Sequence, residues 1–132
     1  MSKLPAIFED FEKAVVRLEE VLKEPKTTTN RDSAIKRFEL AFDLTWKTIK
    51  TFLQEEKGII CLSPKDCFRE AFKQGLVEYD DYWISIVDLR NETIHTYQEE
   101  LAEKVYSQLS EILNNFQKVL RALKAQNTQT KL

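Results

Sequence analysis

Residues 99–124 read EELAEKVYSQLSEILNNFQKVLRALK, and within them Val105, Leu109, Ile112, Phe116, Val119 and Leu123 recur at steps of four and three. Side chains at that spacing share one face of an α-helix, and the alternation is the packing seam of an antiparallel bundle or of a helix laid on a partner. The stretch predicts a long final helix beginning near Gln98 and puts the chain among helical bundles. Residues 126–132 are polar and are expected to form a frayed tail, which leaves 1–125 as one domain.

Working outward, the same period appears upstream. Ile7, Phe11, Ala14 with Val15, Leu18, and Val21 with Leu22 form the apolar stripe of a first helix. Pro25 and Thr27-Thr28-Thr29 end it, and Asn30 is placed to cap a second helix over Arg31 to Lys57, where Gly58 supplies a left-handed close. The second stripe is wide: Ile35, Phe38, Phe42, Ile49, Phe52 and Leu53 lie together, with Leu40, Ala41, Leu44 and Trp46 spilling to the side. Such breadth requires more than one neighbour. Ser63-Pro64-Lys65-Asp66 starts a short third helix, because Ser63 can accept from the Asp66 amide and Pro64 fills a position needing no donor. That helix runs through Phe72 and stops near Gly75. Asp80 or Asp81 is placed to cap a fourth helix carrying Trp83, Ile84, Val87 and Ile94. The expected fold is all-α, an up-and-down four-helix bundle with an additional short helix.

Composition agrees and narrows the function. Gly 2 and Pro 3 in 132 residues remove turn-rich β folds, collagen and disordered linkers, and two glycines cannot write a P-loop or a GxGxxG turn. One His and two Cys exclude HExxH and four-cysteine zinc sites, so no metal and no cofactor is expected. The 20 Lys+Arg against 22 Asp+Glu leave a net charge of −2, so an RNA-binding surface must be a local patch. No run approaches the ~20 apolar residues of a membrane span. The amino terminus, with Glu9 and Asp10, lacks the apolar core of a secretion signal. A cytoplasmic protein is expected, with Cys61 and Cys67 as reduced, buried thiols.

Chemical content concentrates in Asp88-Leu89-Arg90-Asn91-Glu92-Thr93-Ile94-His95-Thr96-Tyr97. On a helix Arg90 and Tyr97 share a face, and Asn91 lies one turn before His95 while Val87 and Ile94 turn to the core. Asn91 can orient an imidazole, Arg90 can hold an anion, and histidine is the side chain whose ordinary pKa lies near neutrality. The plainer reading of the same residues is that Arg90 and His95 satisfy Asp88, Glu92 or a helix end.

Arg90-Asn91-x-x-x-His95-x-Tyr97 resembles the Arg-x4-His-x-Tyr motif of HEPN-domain proteins. Arg37-Phe38-Glu39, Phe42, Trp46-Lys47, Ser63-Pro64-Lys65, Arg69-Glu70-Ala71-Phe72 and Gly75-Leu76 resemble the branch called nucleotidyltransferase substrate-binding proteins. The likeness runs from about Phe8 to Leu120. It implies a homodimeric HEPN-like bundle encoded beside a minimal nucleotidyltransferase as a toxin–antitoxin pair. The HEPN member would be a metal-independent endoribonuclease, silenced when its partner adenylylates the motif tyrosine. By that resemblance Arg90 and His95, supported by Asn91, would be catalytic and Tyr97 would be modified. An alternative reading of the family is a noncatalytic substrate-binding subunit of a two-component nucleotidyltransferase.

Elementary chemistry constrains the first reading. Metal-free RNA cleavage needs a base for the 2′-hydroxyl, an acid for the leaving oxygen and donors for the phosphorane. One chain owns one histidine, so the expectation under this reading is that two chains bring their fourth helices together, with a pair of His95 and a pair of Arg90 lining one shared cleft. An AMP on Tyr97 would place a bulky anion where the RNA phosphate binds. Lys65, Arg69 and Lys73, every fourth residue of the third helix, are candidates to track the RNA backbone, or else make up a solvated face. Trp46 and Trp83 are either base-stacking platforms or core.

Overall fold

The chain winds into α1 (Leu4–Leu22), α2 (Thr28–Lys57), α3 (Pro64–Lys73), α4 (Asp80–Glu92) and α5 (Glu99–Thr130), with a 3₁₀ turn at Thr93–His95. The computed structural model describes residues 2–130, with side chains through residue 126. No strand occurs among the described residues. The seam of α5 is buried as its spacing requires: Val105, Leu109, Ile112 and Phe116 are fully enclosed, with Val119 and Leu123 nearly so.

Cross-links between helix ends fix the topology. Ser2 and the Lys3 amide reach Glu55 at the far end of α2, so α1 and α2 are antiparallel. Lys124 pairs with Glu12 and Gln117 with Glu19, which makes α5 antiparallel to α1. Asn115 bonds the Tyr82 hydroxyl and Lys104 reaches Glu92, so α4 also opposes α5. The four long helices therefore alternate up and down, and α3 is the short extra one.

Phenylalanines fill the centre. Phe38 faces Phe116 at 6.4 Å, Phe42 meets Phe68 at 5.8 Å, and the Phe68 ring stacks on Trp83 at 4.8 Å with only 5° between planes. The last pair clamps α3 to α4, and such a ring pair adds about 0.5–1.5 kcal/mol to what burial alone supplies. Trp83 is thus core and no platform for a base. Where α2 meets α5, the buried Arg31 guanidinium is held by Glu99 and Glu103 at 2.7 and 3.0 Å.

Several local expectations are corrected. Thr27, not Asn30, caps α2: its extended backbone lets its hydroxyl accept the Asn30 amide, while the Asn30 side chain turns back to the Pro25 carbonyl. Tyr79 stands at the cap of α4 without a side-chain bond, and Asp80 and Asp81 fall in the first turn, where their charge meets the positive end of the helix dipole. Ser63 and Gly58 act as the sequence predicts. Residues 126–130, expected as tail, continue α5, and residues 131–132 lie outside the described part.

Cys61 and Cys67 are joined in a disulfide, against the expectation of free thiols. The left-handed Gly58 ends α2 and starts a connection that leads directly into α3. Cys61 on that connection comes within 5.1 Å, Cα to Cα, of Cys67 on α3, inside the range a bridge requires.

Candidate functional site

The carboxyl end of α4 presents the motif. Arg90 leaves the last turn of α4 toward α2, where its Nε and Nη2 donate to the two oxygens of Asp43 at 3.3 and 3.2 Å. Glu39, one turn earlier on α2, lies 3.4 Å from Nη1. The same Nη1 donates to the Thr93 hydroxyl at 3.1 Å. One guanidinium therefore meets two carboxylates and a hydroxyl, so any anion it binds must share it with Asp43 and Glu39 or displace them.

Thr93 stands where the winding changes. Its hydroxyl donates to the Arg90 carbonyl three residues back at 2.7 Å, and Thr96 repeats the pattern on the Thr93 carbonyl at 2.9 Å. Over the same residues the backbone tightens into a 3₁₀ turn, the Thr96 N–H donating to the Thr93 carbonyl three residues back at 3.2 Å. Two expectations fail for this reason. Thr93 takes the inward position, and Ile94 is 72% exposed instead of facing the core. The tighter winding also moves His95 off the Asn91 face, and no hydrogen bond joins them among the described residues.

His95 and Tyr97 emerge together. Both are exposed, and their rings meet edge to face with centroids 6.0 Å apart, Tyr97 lying in the turn before α5. Asn91 is exposed on the last turn of α4. The arrangement offers an accessible imidazole for proton transfer and an accessible phenol for group transfer, beside an anchored guanidinium. Tyr82, on the opposite end of α4, is a different case: burial pushes its phenol up to about 12.

The cations proposed on α3 are already engaged. Lys65 pairs with Asp88 at 3.0 Å, Arg69 with Asp66 at 3.7 Å and Lys73 with Glu70 at 3.3 Å. Residue-level reading missed Glu39, Asp43 and Thr93. Glu39 and Asp43, two acids at i and i+4 on one helix, are the signal of a basic partner across the bundle. Among the described residues no three His, Cys, Asp or Glu side chains gather as a metal site, and no helix is long and apolar enough to cross a membrane.

Comparison with known proteins identifies the family and the fold. The family described as nucleotidyltransferase substrate binding protein like matches residues 6–125. A Haemophilus influenzae protein named "Probable ribonuclease HepT" is 35% identical over 98 residues, covering 71% of this chain and 67% of that protein. A crystal structure from Thermus thermophilus superposes with a TM-score of 0.80 at 35% identity, over 85% of this chain and 98% of that one. A tri-AMPylated HEPN toxin of Shewanella oneidensis, solved with its MNT antitoxin, shares the fold with a TM-score of 0.75 at 20% identity, over 95% of this chain and 99% of that one.

Proposed function

The chain belongs to the nucleotidyltransferase substrate binding protein like family, of HEPN fold, and on that premise we propose that it is an endoribonuclease toxin acting without a metal ion. The observation that carries the proposal is the pair His95 and Tyr97, exposed side by side at the end of α4. Two chains meeting along this edge form a composite cleft with two imidazoles and two guanidinia. One imidazole takes the 2′-hydroxyl proton, the other protonates the leaving oxygen, and Arg90 stabilises the phosphorane, with Asn91 as a supporting donor. The substrate is RNA, and the place of action is the cytoplasm.

Tyr97 is the switch in this proposal. Its exposed hydroxyl attacks the α-phosphorus of a nucleoside triphosphate held by a partner nucleotidyltransferase; AMP joins the phenol, pyrophosphate leaves, and the phenolic proton passes to solvent. The adduct brings a phosphate beside His95 and closes the cleft to RNA by repulsion and bulk. Support comes from the ribonuclease name of the Haemophilus relative and the AMPylated toxin–antitoxin state of the Shewanella neighbour.

A second reading is favoured by one observation. Arg90 is already bound by Asp43, Glu39 and Thr93 within a single chain, as befits a structural residue of a noncatalytic substrate-binding subunit. Expression of the chain alone, against His95→Ala, separates the two. Growth arrest and RNA cleavage in the presence of EDTA, both abolished by the substitution, are expected; a harmless, inert wild type overturns the nuclease.

A further inference from the structure

One surface of α2 is not used by the site above. A groove of about 590 Å³ runs between the start of α1 and the second half of α2, lined by Lys3, Ile7, Trp46, Lys47, Lys50 and Glu55 among others. Its lining has three lysines against one carboxylate, and Glu55 already accepts bonds from the Ser2 hydroxyl and the Lys3 amide. None of the three lysines has a carboxylate within ion-pair distance among the described residues. The α3 cations, by contrast, are all paired. Trp46 is only half-buried, and the Lys50 ammonium stands 5.8 Å from its ring centre.

The groove and the Arg90 cluster share α2, with Trp46 and Lys50 one and two turns beyond the Asp43 that holds Arg90. At 3.6 residues per turn, Glu39, Asp43, Trp46 and Lys50 fall within about 60° of one another around α2. With 1.5 Å per residue, Trp46 lies about 4.5 Å and Lys50 about 10.5 Å along the axis from the Asp43 that holds Arg90. An aromatic face flanked by uncompensated ammonium groups is the chemistry that takes a single-stranded nucleotide, by stacking and phosphate contact.

We propose that this groove is a nucleotide subsite for single-stranded RNA, with Trp46 stacking a base and Lys47 and Lys50 holding the adjoining phosphates beside the Arg90 and His95 cleft. The base takes the place of the Lys50 ammonium on the indole, and the ammonium moves onto the phosphate. The proposal rests on the ribonuclease reading and adds the path by which a chain with a net charge of −2 holds a polyanion.

The test is fluorescence anisotropy with a fluorescein-labelled, 2′-O-methylated single strand, which lacks the hydroxyl that cleavage consumes. Wild type is expected to bind this strand. Lys47→Glu, at an exposed position, with Lys50→Glu, at a partly buried one, weakens binding at least tenfold and lessens its salt dependence. Trp46→Ala weakens it about tenfold and Trp46→Phe, which keeps a ring and its packing, less than threefold. Unchanged binding by the double charge reversal, with loss on Lys65→Glu and Arg69→Glu instead, overturns the groove and leaves the ribonuclease standing. Charge reversals that release a nucleotidyltransferase but not the oligonucleotide make it a protein-docking surface and also overturn it. A wild type that neither binds this strand nor cuts unmodified RNA removes both readings.

Discussion

Arg90 and Asp43, 47 residues apart in the chain, meet through two hydrogen bonds, Nε to Oδ1 at 3.3 Å and Nη2 to Oδ2 at 3.2 Å. This fork fixes the last turn of α4 against the middle of α2, and it holds the guanidinium at the α2–α4 junction. A partly exposed pair of this kind contributes little stability, about 1 kcal/mol or less. Its value is geometrical.

Arg90→Lys therefore separates charge from shape. Lysine keeps the positive charge but cannot make the fork. Under the ribonuclease proposal, RNA cleavage by the purified variant falls at least about tenfold, while its melting temperature stays within a few degrees of wild type. An active variant would mean that the fork is not needed.

Thr93 offers the complementary case, because its hydroxyl both accepts from Arg90 Nη1 and donates to the Arg90 carbonyl. Thr93→Val keeps the shape and removes one hydrogen bond from each group, leaving the carbonyl the Thr93 N–H and Nη1 the Glu39 carboxylate, a loss of about 1–3 kcal/mol in chemical denaturation. Thr93→Ser is expected to restore most of it.

Phe68 connects α3 to the bundle by stacking on Trp83 and facing Phe42. It is fully buried, so Phe68→Ala opens a cavity and costs about 3–5 kcal/mol. Urea unfolding monitored by tryptophan fluorescence measures the loss, and a change under about 1 kcal/mol would show that the site collapses without a void.

Stability also depends on acid. The Arg31 guanidinium holds the Glu99 carboxyl below its ordinary 4.5, Lys26 and then Arg31 lower Glu103, and the Ser2 hydroxyl and Lys3 amide lower Glu55. A carboxylate lowered only in the folded chain stabilises it fully above the unfolded value and loses that contribution as pH falls through the folded one. Melting temperature from this source is thus flat above about pH 5 and declines below about 4.5. Arg31→Gln lowers the plateau and flattens the decline. An undiminished acid slope in that variant would assign the effect to other carboxylates.

Tyr97→Phe removes the hydroxyl and leaves the ring edge beside His95. The variant is expected to cut RNA and to resist silencing by the nucleotidyltransferase, since no oxygen remains to take AMP. Mass spectrometry after co-expression gives the second half of the check: wild type gains one or more adenylates and the variant none. An adenylate persisting on Tyr97→Phe would move the switch to another residue.

Much of this protein is local and so was legible from the chain. The four-three alternation of α5, the Ser63 cap, and the left-handed Gly58 depend on neighbours within a turn, and each stands where its spacing put it. The candidate residues Arg90 and His95 are singled out by residue type and by resemblance to a family motif. What spacing misjudged lies at helix ends: the Thr27 hydroxyl caps α2 three residues early, and the end of α4 tightens into a 3₁₀ turn in which Ile94 faces outward.

Only the tertiary structure decided who meets whom across the bundle. Asp43 and Glu39 reach Arg90, Glu99 and Glu103 reach Arg31, Cys61 reaches Cys67, and Trp46 stands at a groove while Trp83 is enclosed. Periodicity tells which face of a helix is apolar, because that needs only the 3.6-residue turn. It does not tell the rotation and height at which two helices pack, because those follow from interlocking side chains of both. Charge pairing at the site depends on that rotation and height.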